Sequence, residues 1–251
     1  MQRVLFCFVT LLATALARAD VPSTIEAIKP SIVAVGTFER MRNPQFSFSG
    51  TGFAVGDGSL VATNEHVLPK TLNTERNETI AIVVRSGQGS DRIRPARRAV
   101  SDESVDLALL RFDGPPLPAL RLGSSGKVRE GEEYLLTGFP IGAVLGLFPV
   151  THRAMIAAVT PIVIPAARAD QLNSQAVRRL SAGAYAIFQL DGTAYPGNSG
   201  SPVYHPQSGV VIAIVNSVFV KGSRESALTH PSGVTYAIPA EKLKELLESV
   251  R

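Results

Sequence analysis

The sequence predicts an all-β fold, a barrel or a sandwich, closed by a helix at the C-terminal end. Two observations support this prediction: many short apolar runs are rich in Val, Ile and Phe, and turn-forming residues separate them. The 251 residues suffice for one large β domain or two small ones. With 45% hydrophobic and 18% charged residues, the composition is that of a globular chain rather than a disordered one.

The predicted strands are short apolar runs bounded by Gly, Pro, Asp or Asn. They lie at Ile32–Phe38, Gly52–Val55, Leu60–Ala62, Ile80–Val84, Leu107–Phe112, Tyr134–Thr137, Ala154–Val159, Ala186–Gln189, Ser201–Tyr204, Val210–Val218 and Thr235–Ile238. The densest basic stretch is interpreted as a solvated strand edge, since edge strands often carry charge, with an interaction patch as the alternative. It contains Arg92, Arg94, Arg97 and Arg98.

Two segments have the apolar spacing of an amphipathic helix. The first, Glu241–Val250, is expected to pack its apolar stripe against the last strands, and the second, Arg168–Leu180, would lie in an excursion between two strands. The small polar stretch Gly123–Gly126 predicts a flexible linker between two halves of the chain. The halves would span about residues 20–122 and 127–239, followed by the helix at 240–250.

The N-terminal residues 1–19 have the pattern of an export signal. Arg3 supplies the positive start, Val4–Leu16 is apolar apart from two threonines, and Ala17 and Ala19 are the small residues that a signal peptidase reads. Cleavage after Ala19 is therefore predicted. The alternatives are a buried strand and a short membrane anchor, and a membrane-spanning helix needs about 20 apolar residues. The mature chain is expected in the periplasm or outside the cell, without stable membrane insertion.

The cysteine content and the net charge argue against a disulfide-bonded fold and against a nucleic-acid-binding protein. The single cysteine, Cys7, lies in the predicted signal, so the mature chain is expected to fold without disulfides. The full chain carries a net charge of +4, and removal of Arg3 and Arg18 leaves 23 basic against 21 acidic residues, or +2. So small a charge does not favour nucleic acid as a partner.

The most specific motif is the segment Pro196–Pro202, with the sequence PGNSGSP, between two predicted strands. Two glycines flank Ser199, and glycine permits positive φ and close backbone approach. Such a turn can present a serine hydroxyl beside backbone N–H groups, which are the nucleophile and the oxyanion cradle that acyl transfer needs. A glycine-rich hairpin without any chemistry is the alternative interpretation.

A serine hydroxyl needs a base to become a nucleophile. His66 is the best candidate for that base, because it follows the predicted strand at 60–62 and precedes a turn, where a side chain can be held rigidly. The other histidines of the mature chain, His152, His205 and His230, stand in polar or loop contexts near Pro or Gly and are interpreted as surface residues.

The base in turn needs an orienting carboxylate. Asp106 heads an otherwise apolar strand, where a carboxylate costs free energy unless it is paired or hydrogen-bonded. A histidine N–H group is a natural partner for it. Asp102 and Asp113 compete for the role, but both lie in predicted polar loops without any pressure toward burial.

Four segments together resemble the trypsin-like peptidases, most closely the protease domain of the bacterial Deg (HtrA) family. They are Ser49–Phe53 (SGTGF), Thr63–Val67 (TNEHV), Asp106–Leu110 (DLALL) and Pro196–Pro202. Gly138–Pro140 and Tyr236–Pro239 match the same family pattern. The resemblance extends over nearly the whole mature chain.

The resemblance implies two antiparallel six-stranded β-barrels with a C-terminal helix and a site in the cleft between the barrels. It implies a catalytic triad of His66 and Asp106 from the first barrel and Ser199 from the second. The backbone N–H groups of Gly197 and Ser199 would form the oxyanion hole. A serine endopeptidase of this type requires no metal and no cofactor, and its expected partners are protein or peptide substrates.

The same resemblance assigns a substrate pocket to Thr193, Tyr195, Val215, Asn216 and Ser217. Thr193 stands six residues before the serine, where trypsin has an acid that binds Lys or Arg. No acidic residue lies between Gly192 and Val218. The sequence therefore predicts a preference for small to medium apolar side chains before the cleaved bond.

Three features depart from the family pattern. The sequence stops where most Deg proteases continue into a peptide-binding PDZ domain, so regulation through such a domain is expected to be absent. Ser201 replaces the usual second glycine after the serine. The segments Ile141–Arg153 and Ile162–Ala184 are longer than usual and could cover the cleft in a resting state. The alternative function is a catalytically silent fold that binds peptides or a partner, against which the intact triad argues.

Overall fold

The computed structural model describes residues 20–85, 91–161, 185–193, 195–216 and 234–250. Its helices are α1 (Val21–Ile28), α2 (Gly142–Leu145) and α3 (Ala240–Glu248). Its strands are β1 (Ile32–Phe38), β2 (Phe46–Val55), β3 (Leu60–Thr63), β4 (Thr79–Val84), β5 (Arg92–Asp102), β6 (Leu107–Phe112), β7 (Glu133–Gly138), β8 (Val150–Pro161), β9 (Ala186–Asp191), β10 (Pro202–Tyr204), β11 (Val211–Asn216) and β12 (Val234–Pro239).

The strands close into two separate six-stranded barrels. The first has the order β1-β2-β3-β6-β5-β4, and the second has the order β10-β11-β12-β9-β8-β7. Neighbouring strands within each barrel pair antiparallel. The predicted all-β fold, in the double-barrel form that the family resemblance implies, is therefore confirmed.

Both faces of the central strands are buried, which explains why they are continuous apolar runs in the sequence. On β1, Val33 and Val35 belong to the cluster inside the first barrel. Ile32 and Ala34 belong to a second cluster, which reaches across to the other barrel and to α3. Because successive side chains of a strand point to opposite faces, β1 serves the barrel interior and the layer between the barrels at once.

The arginine-rich stretch forms β5, which is not an edge strand. It pairs with β4 on one side and β6 on the other, so the prediction of a strand edge was wrong. The charged side chains are compatible with a closed barrel because one face of β5 points to solvent. Arg94 lies with its guanidinium carbon 5.6 Å from the centre of the Phe112 ring and donates to the Pro115 carbonyl at 2.7 Å.

The segment that joins the barrels is hydrogen-bonded to distant parts of the chain. The Ser125 hydroxyl donates to the Ile212 carbonyl at 2.6 Å and accepts from the Ala240 N–H at 3.0 Å. The Gly123 N–H donates to the Val211 carbonyl at 2.7 Å. These bonds tie the linker to β11 and to the first residue of α3, so three distant parts of the chain meet at one serine.

The predicted C-terminal helix is confirmed as α3, although α1 was not predicted. Helix α1 has only eight residues, with Asp20 as its N-terminal cap, and this is too short to give a clear apolar periodicity in the sequence. The predicted helix Arg168–Leu180 lies outside the described residues. No helix in the described part of the chain is long and apolar enough to cross a bilayer.

Candidate active site

His66 and Asp106 meet at one end of the first barrel. His66 lies in a 3₁₀ turn directly after β3, and Asp106 directly precedes β6, the strand that pairs with β3. The His66 Nδ1 atom is 2.7 Å from Asp106 Oδ2, and the His66 backbone N–H donates to Asp106 Oδ1 at 2.9 Å. Because an ionised carboxylate can only accept, Nδ1 carries the ring proton and Nε2 is left as an acceptor.

The Asp106 carboxylate is almost completely buried, at 2% exposure, and depends on its donors. Besides the two groups of His66, the Asn216 side chain donates to Oδ2 at 2.7 Å from the second barrel. The backbone of Asp106 has φ 57°, a left-handed conformation that aspartate tolerates better than most residues. Its carbonyl accepts from the Asn64 side chain at 3.0 Å, which holds this conformation in place.

The residues before Ser199 form a type II turn. The Asn198 N–H donates to the Tyr195 carbonyl at 3.0 Å, with Pro196 and Gly197 at the two central positions. Gly197 has φ 101°, and a positive φ at this position of a type II turn favours glycine. The Pro196 carbonyl accepts from the Ile141 N–H at 2.7 Å. Since the C=O and N–H of one trans peptide point in opposite directions, the Gly197 N–H faces away from Ile141.

Ser199 itself is held between the two barrels. Its carbonyl accepts from the Thr51 N–H of β2 at 2.9 Å. On the other side, the Gly200 N–H donates to the Val215 carbonyl at 3.0 Å, and the Val215 N–H donates to the Ser201 carbonyl at 2.9 Å. The residue after Val215 is Asn216, which contacts Asp106. The serine turn and the His66–Asp106 pair are therefore linked through the end of β11.

Four of the five predicted pocket residues lie in described segments before and after the serine turn, and of these Val215 belongs to the cluster inside the second barrel. Thr193 and Tyr195 are half-buried in the segment between β9 and the serine turn, and Val215 and Asn216 are fully buried at the end of β11. The amide nitrogen of Asn216 is directed to Asp106, a contact that the sequence did not reveal. Ser217 lies outside the described residues.

The prediction that His152 is a surface residue was wrong. It lies on β8 opposite Leu136, a residue of the cluster inside the second barrel, so its side chain is on the inward face. Its Nε2 atom is inaccessible to solvent, and burial lowers the pKa of the imidazole. His205 is half-buried, with its ring edge-to-face with Tyr134, and His230 lies outside the described residues.

The sequence matches a family model described as the trypsin-like peptidase domain over residues 50–214. Serine protease HTRA1A of Danio rerio is 28% identical over 235 residues, which cover 90% of this chain and 40% of that protein. A probable periplasmic serine endoprotease, DegP-like, of Ectopseudomonas mendocina is 28% identical over 203 residues, covering 80% and 35%. The chain thus spans about two fifths or less of the length of these relatives.

Solved structures of an HtrA-type protease share the fold. The protease AlgW with a decapeptide matches with a TM-score of 0.66 and 22% identity, over 92% of this chain and 67% of that one. The same protease with a tripeptide gives a TM-score of 0.63 and 24% identity, over 92% and 63%. Identity this low supports the fold alone, whereas the family model spans well over half of the sequence. The chain therefore belongs to the family of trypsin-like peptidase domains.

Proposed function

We propose that the protein is a serine endopeptidase that cleaves peptide bonds of protein substrates with Ser199, His66 and Asp106 as its triad. The observation that carries the proposal is the 2.7 Å contact between His66 Nδ1 and Asp106 Oδ2. It fixes the ring tautomer that leaves Nε2 free to accept a proton. A buried carboxylate held by several donors is an expensive arrangement that a purely structural barrel does not need.

In the proposed reaction, Ser199 Oγ attacks the substrate carbonyl while its proton passes to His66 Nε2. The imidazolium that forms is stabilised by Asp106, and the oxyanion is stabilised by the N–H groups of Gly197 and Ser199. His66 then gives the proton to the leaving amine, and an acyl-enzyme on Ser199 remains. Water, deprotonated by the same imidazole, attacks the acyl group, and Ser199 recovers its proton as the acid leaves.

We place the activity in the periplasm or outside the cell, in envelope protein quality control or processing. The predicted export signal at residues 1–19 supports this location. One of the relatives is named as a probable periplasmic endoprotease, which supports the same compartment.

The proposed pocket predicts which bonds are cut. Thr193 and Tyr195 are uncharged, Val215 packs inside the second barrel, and the Asn216 amide is engaged by Asp106. None of these residues offers an acid to a Lys or Arg side chain, so we expect the best cleavage after Val, Ala or Leu. A peptide series identical except for the residue before the bond measures the preference as kcat/KM. One methylene group changes kcat/KM by about 10–200-fold in an apolar pocket, so the series has the resolution to rank these side chains. Best cleavage after Lys or Arg would refute the assignment of the pocket.

A fluorophosphonate probe tests the triad directly, because it reacts with a serine that is activated by its base. We expect the protein from Asp20 onward to be labelled, and Ser199→Ala and His66→Ala to remove the labelling. Loss of the serine or the histidine of the triad lowers kcat about 10⁶-fold in a serine protease, so little residual turnover is expected. Ser201→Ala, two residues along the same turn, is the matched control and should remain labelled.

The alternative function predicts a different outcome. A catalytically silent peptide-binding fold would show no labelling of the wild type, even after limited proteolysis of the segments 141–153 and 162–184. Labelling that appears only after such proteolysis would mean instead that these segments hold an active site closed. Labelling that persists in Ser199→Ala would move the nucleophile to another residue and overturn the proposal.

A further inference from the structure

Thr51, a completely buried residue of β2, makes three hydrogen bonds to the second barrel. Its hydroxyl donates to the Gly197 carbonyl at 2.7 Å and accepts from the Phe139 N–H at 3.1 Å. Its backbone N–H donates to the Ser199 carbonyl at 2.9 Å. The side-chain partners are 146 and 88 residues away in the sequence, so one hydroxyl connects three separate segments.

These bonds act on the groups that the mechanism uses. The peptide that follows Gly197 is planar, so holding its carbonyl fixes the direction of that peptide and the conformation of Gly197. The carbonyl of Ser199 is held by the same threonine, and the carbonyl of Pro196 is held by Ile141. The Gly197 N–H shares its peptide with the Pro196 carbonyl, and the Ser199 N–H shares its peptide with the Asn198 carbonyl, which accepts from the Ser201 N–H at 3.0 Å. Each of these N–H groups therefore points away from a hydrogen-bonded carbonyl, and in both cases Thr51 holds the next peptide along the chain.

We propose that Thr51 is a positioning residue for the oxyanion hole, whose hydroxyl holds the Gly197–Ser199 turn in the orientation that acyl transfer requires. The inference rests on the proposed function and adds to it a residue of the first barrel. The inference also means that contacts between the two barrels help to orient the oxyanion hole. A small shift of one barrel against the other would move the Gly197 carbonyl, because the Thr51 hydroxyl is bonded to it.

A second buried threonine, Thr63, allows a purely structural role of the Thr51 hydroxyl to be distinguished from the proposed positioning role. Thr63 is also completely buried, and its hydroxyl also donates to a backbone carbonyl at 2.7 Å, that of Thr51. Changed to valine, Thr63 loses this one buried hydrogen bond, whereas Thr51 loses a similar donated bond and also the bond that it accepts from the Phe139 N–H. Only the bond of Thr51 ends on the serine turn.

The test compares Thr51→Val, Thr51→Ser and Thr63→Val in the protein from Asp20 onward. Complete loss of one oxyanion donor costs about 10²–10³-fold in kcat. A turn that is only loosened should cost less, so Thr51→Val is expected to lower the labelling rate and kcat by about 10–100-fold with KM nearly unchanged. Thr51→Ser keeps the hydroxyl and is expected to retain most of the wild-type labelling rate and kcat. Thr63→Val is expected to lower the melting temperature, by less than Thr51→Val does because it loses one bond rather than two, and to change the rates by less than about threefold.

A second measurement does not require an active enzyme. The amide NMR signals of Gly197 and Ser199, and their hydrogen-exchange rates, report the orientation of the turn. They are expected to change in Thr51→Val and to stay in place in Thr63→Val. Unchanged amides in Thr51→Val, or equal rate losses in the two valine variants, would overturn the inference. If the wild type is not labelled even after limited proteolysis, the proposed function fails, and the amide signals still decide the role of Thr51.

Discussion

Replacing Asp106 by asparagine is expected to lower kcat about 10⁴-fold, the size of effect known for this change in a serine protease triad. The two carboxylate oxygens accept from the His66 backbone N–H, from His66 Nδ1 and from the Asn216 side chain. An asparagine offers one acceptor oxygen and one NH₂ donor in the same space. If the NH₂ group faces His66, the ring must turn to the other tautomer. Its Nε2 atom then carries a proton and cannot take another from Ser199.

The measurement is kcat with a peptide that the wild type cleaves, together with the melting temperature to show that the variant is folded. Asp102→Asn is the matched control, since the Asp102 carboxylate accepts from the N–H and hydroxyl of Ser104 in the same turn before β6. It is expected to keep kcat within about threefold of the wild type. A loss of less than about tenfold in Asp106→Asn would exclude Asp106 as the residue that orients the base.

Much of the fold could be predicted from the sequence because the barrels leave local marks in it. Strands such as β1 and β6 are short apolar runs that end at turn residues, and their predicted bounds agree with the structure. The serine turn is similarly local, since its two glycines are required by backbone conformation within a few residues. For Gly197 the structure gives the reason as φ 101° in a type II turn.

What could not be predicted depends on contacts between distant segments. Nothing near Thr51 or Asn216 in the sequence indicates that their side chains cross between the barrels, because each partner lies about a hundred or more residues away. The arginines of β5 suggested an edge strand, because charged residues are common on edge strands. The prediction was wrong because the six strands close into a barrel, and closure depends on all six strands together. His152 was misplaced for a similar reason, since its inward face follows from its register with Leu136.

Replacing Gly197 by alanine is expected to lower kcat by about 10²–10³-fold or more, the cost of losing one oxyanion donor. A Cβ atom at this position would lie 2.3 Å from the Phe139 carbonyl oxygen and 2.9 Å from the Phe48 ring. The backbone atom cannot move aside easily, and φ 101° is in itself unfavourable for alanine. The turn should therefore rotate, and the Gly197 N–H should leave the position from which it would stabilise the oxyanion.

Gly131→Ala separates this effect from backbone strain. Gly131 also has a positive φ, 87°, but a Cβ atom there would meet nothing within 4 Å. It should lose about 1–2 kcal/mol of stability through strain, which corresponds to a melting temperature lower by several degrees, without a change in kcat beyond about threefold. If Gly197→Ala also kept its kcat, then the Gly197 N–H would have no part in stabilising the oxyanion. Equal kinetic losses in both variants would mean that strain anywhere in the second barrel disturbs the site. A loss confined to Gly197→Ala would tie the rate of the reaction to the direction of one peptide N–H in the serine turn.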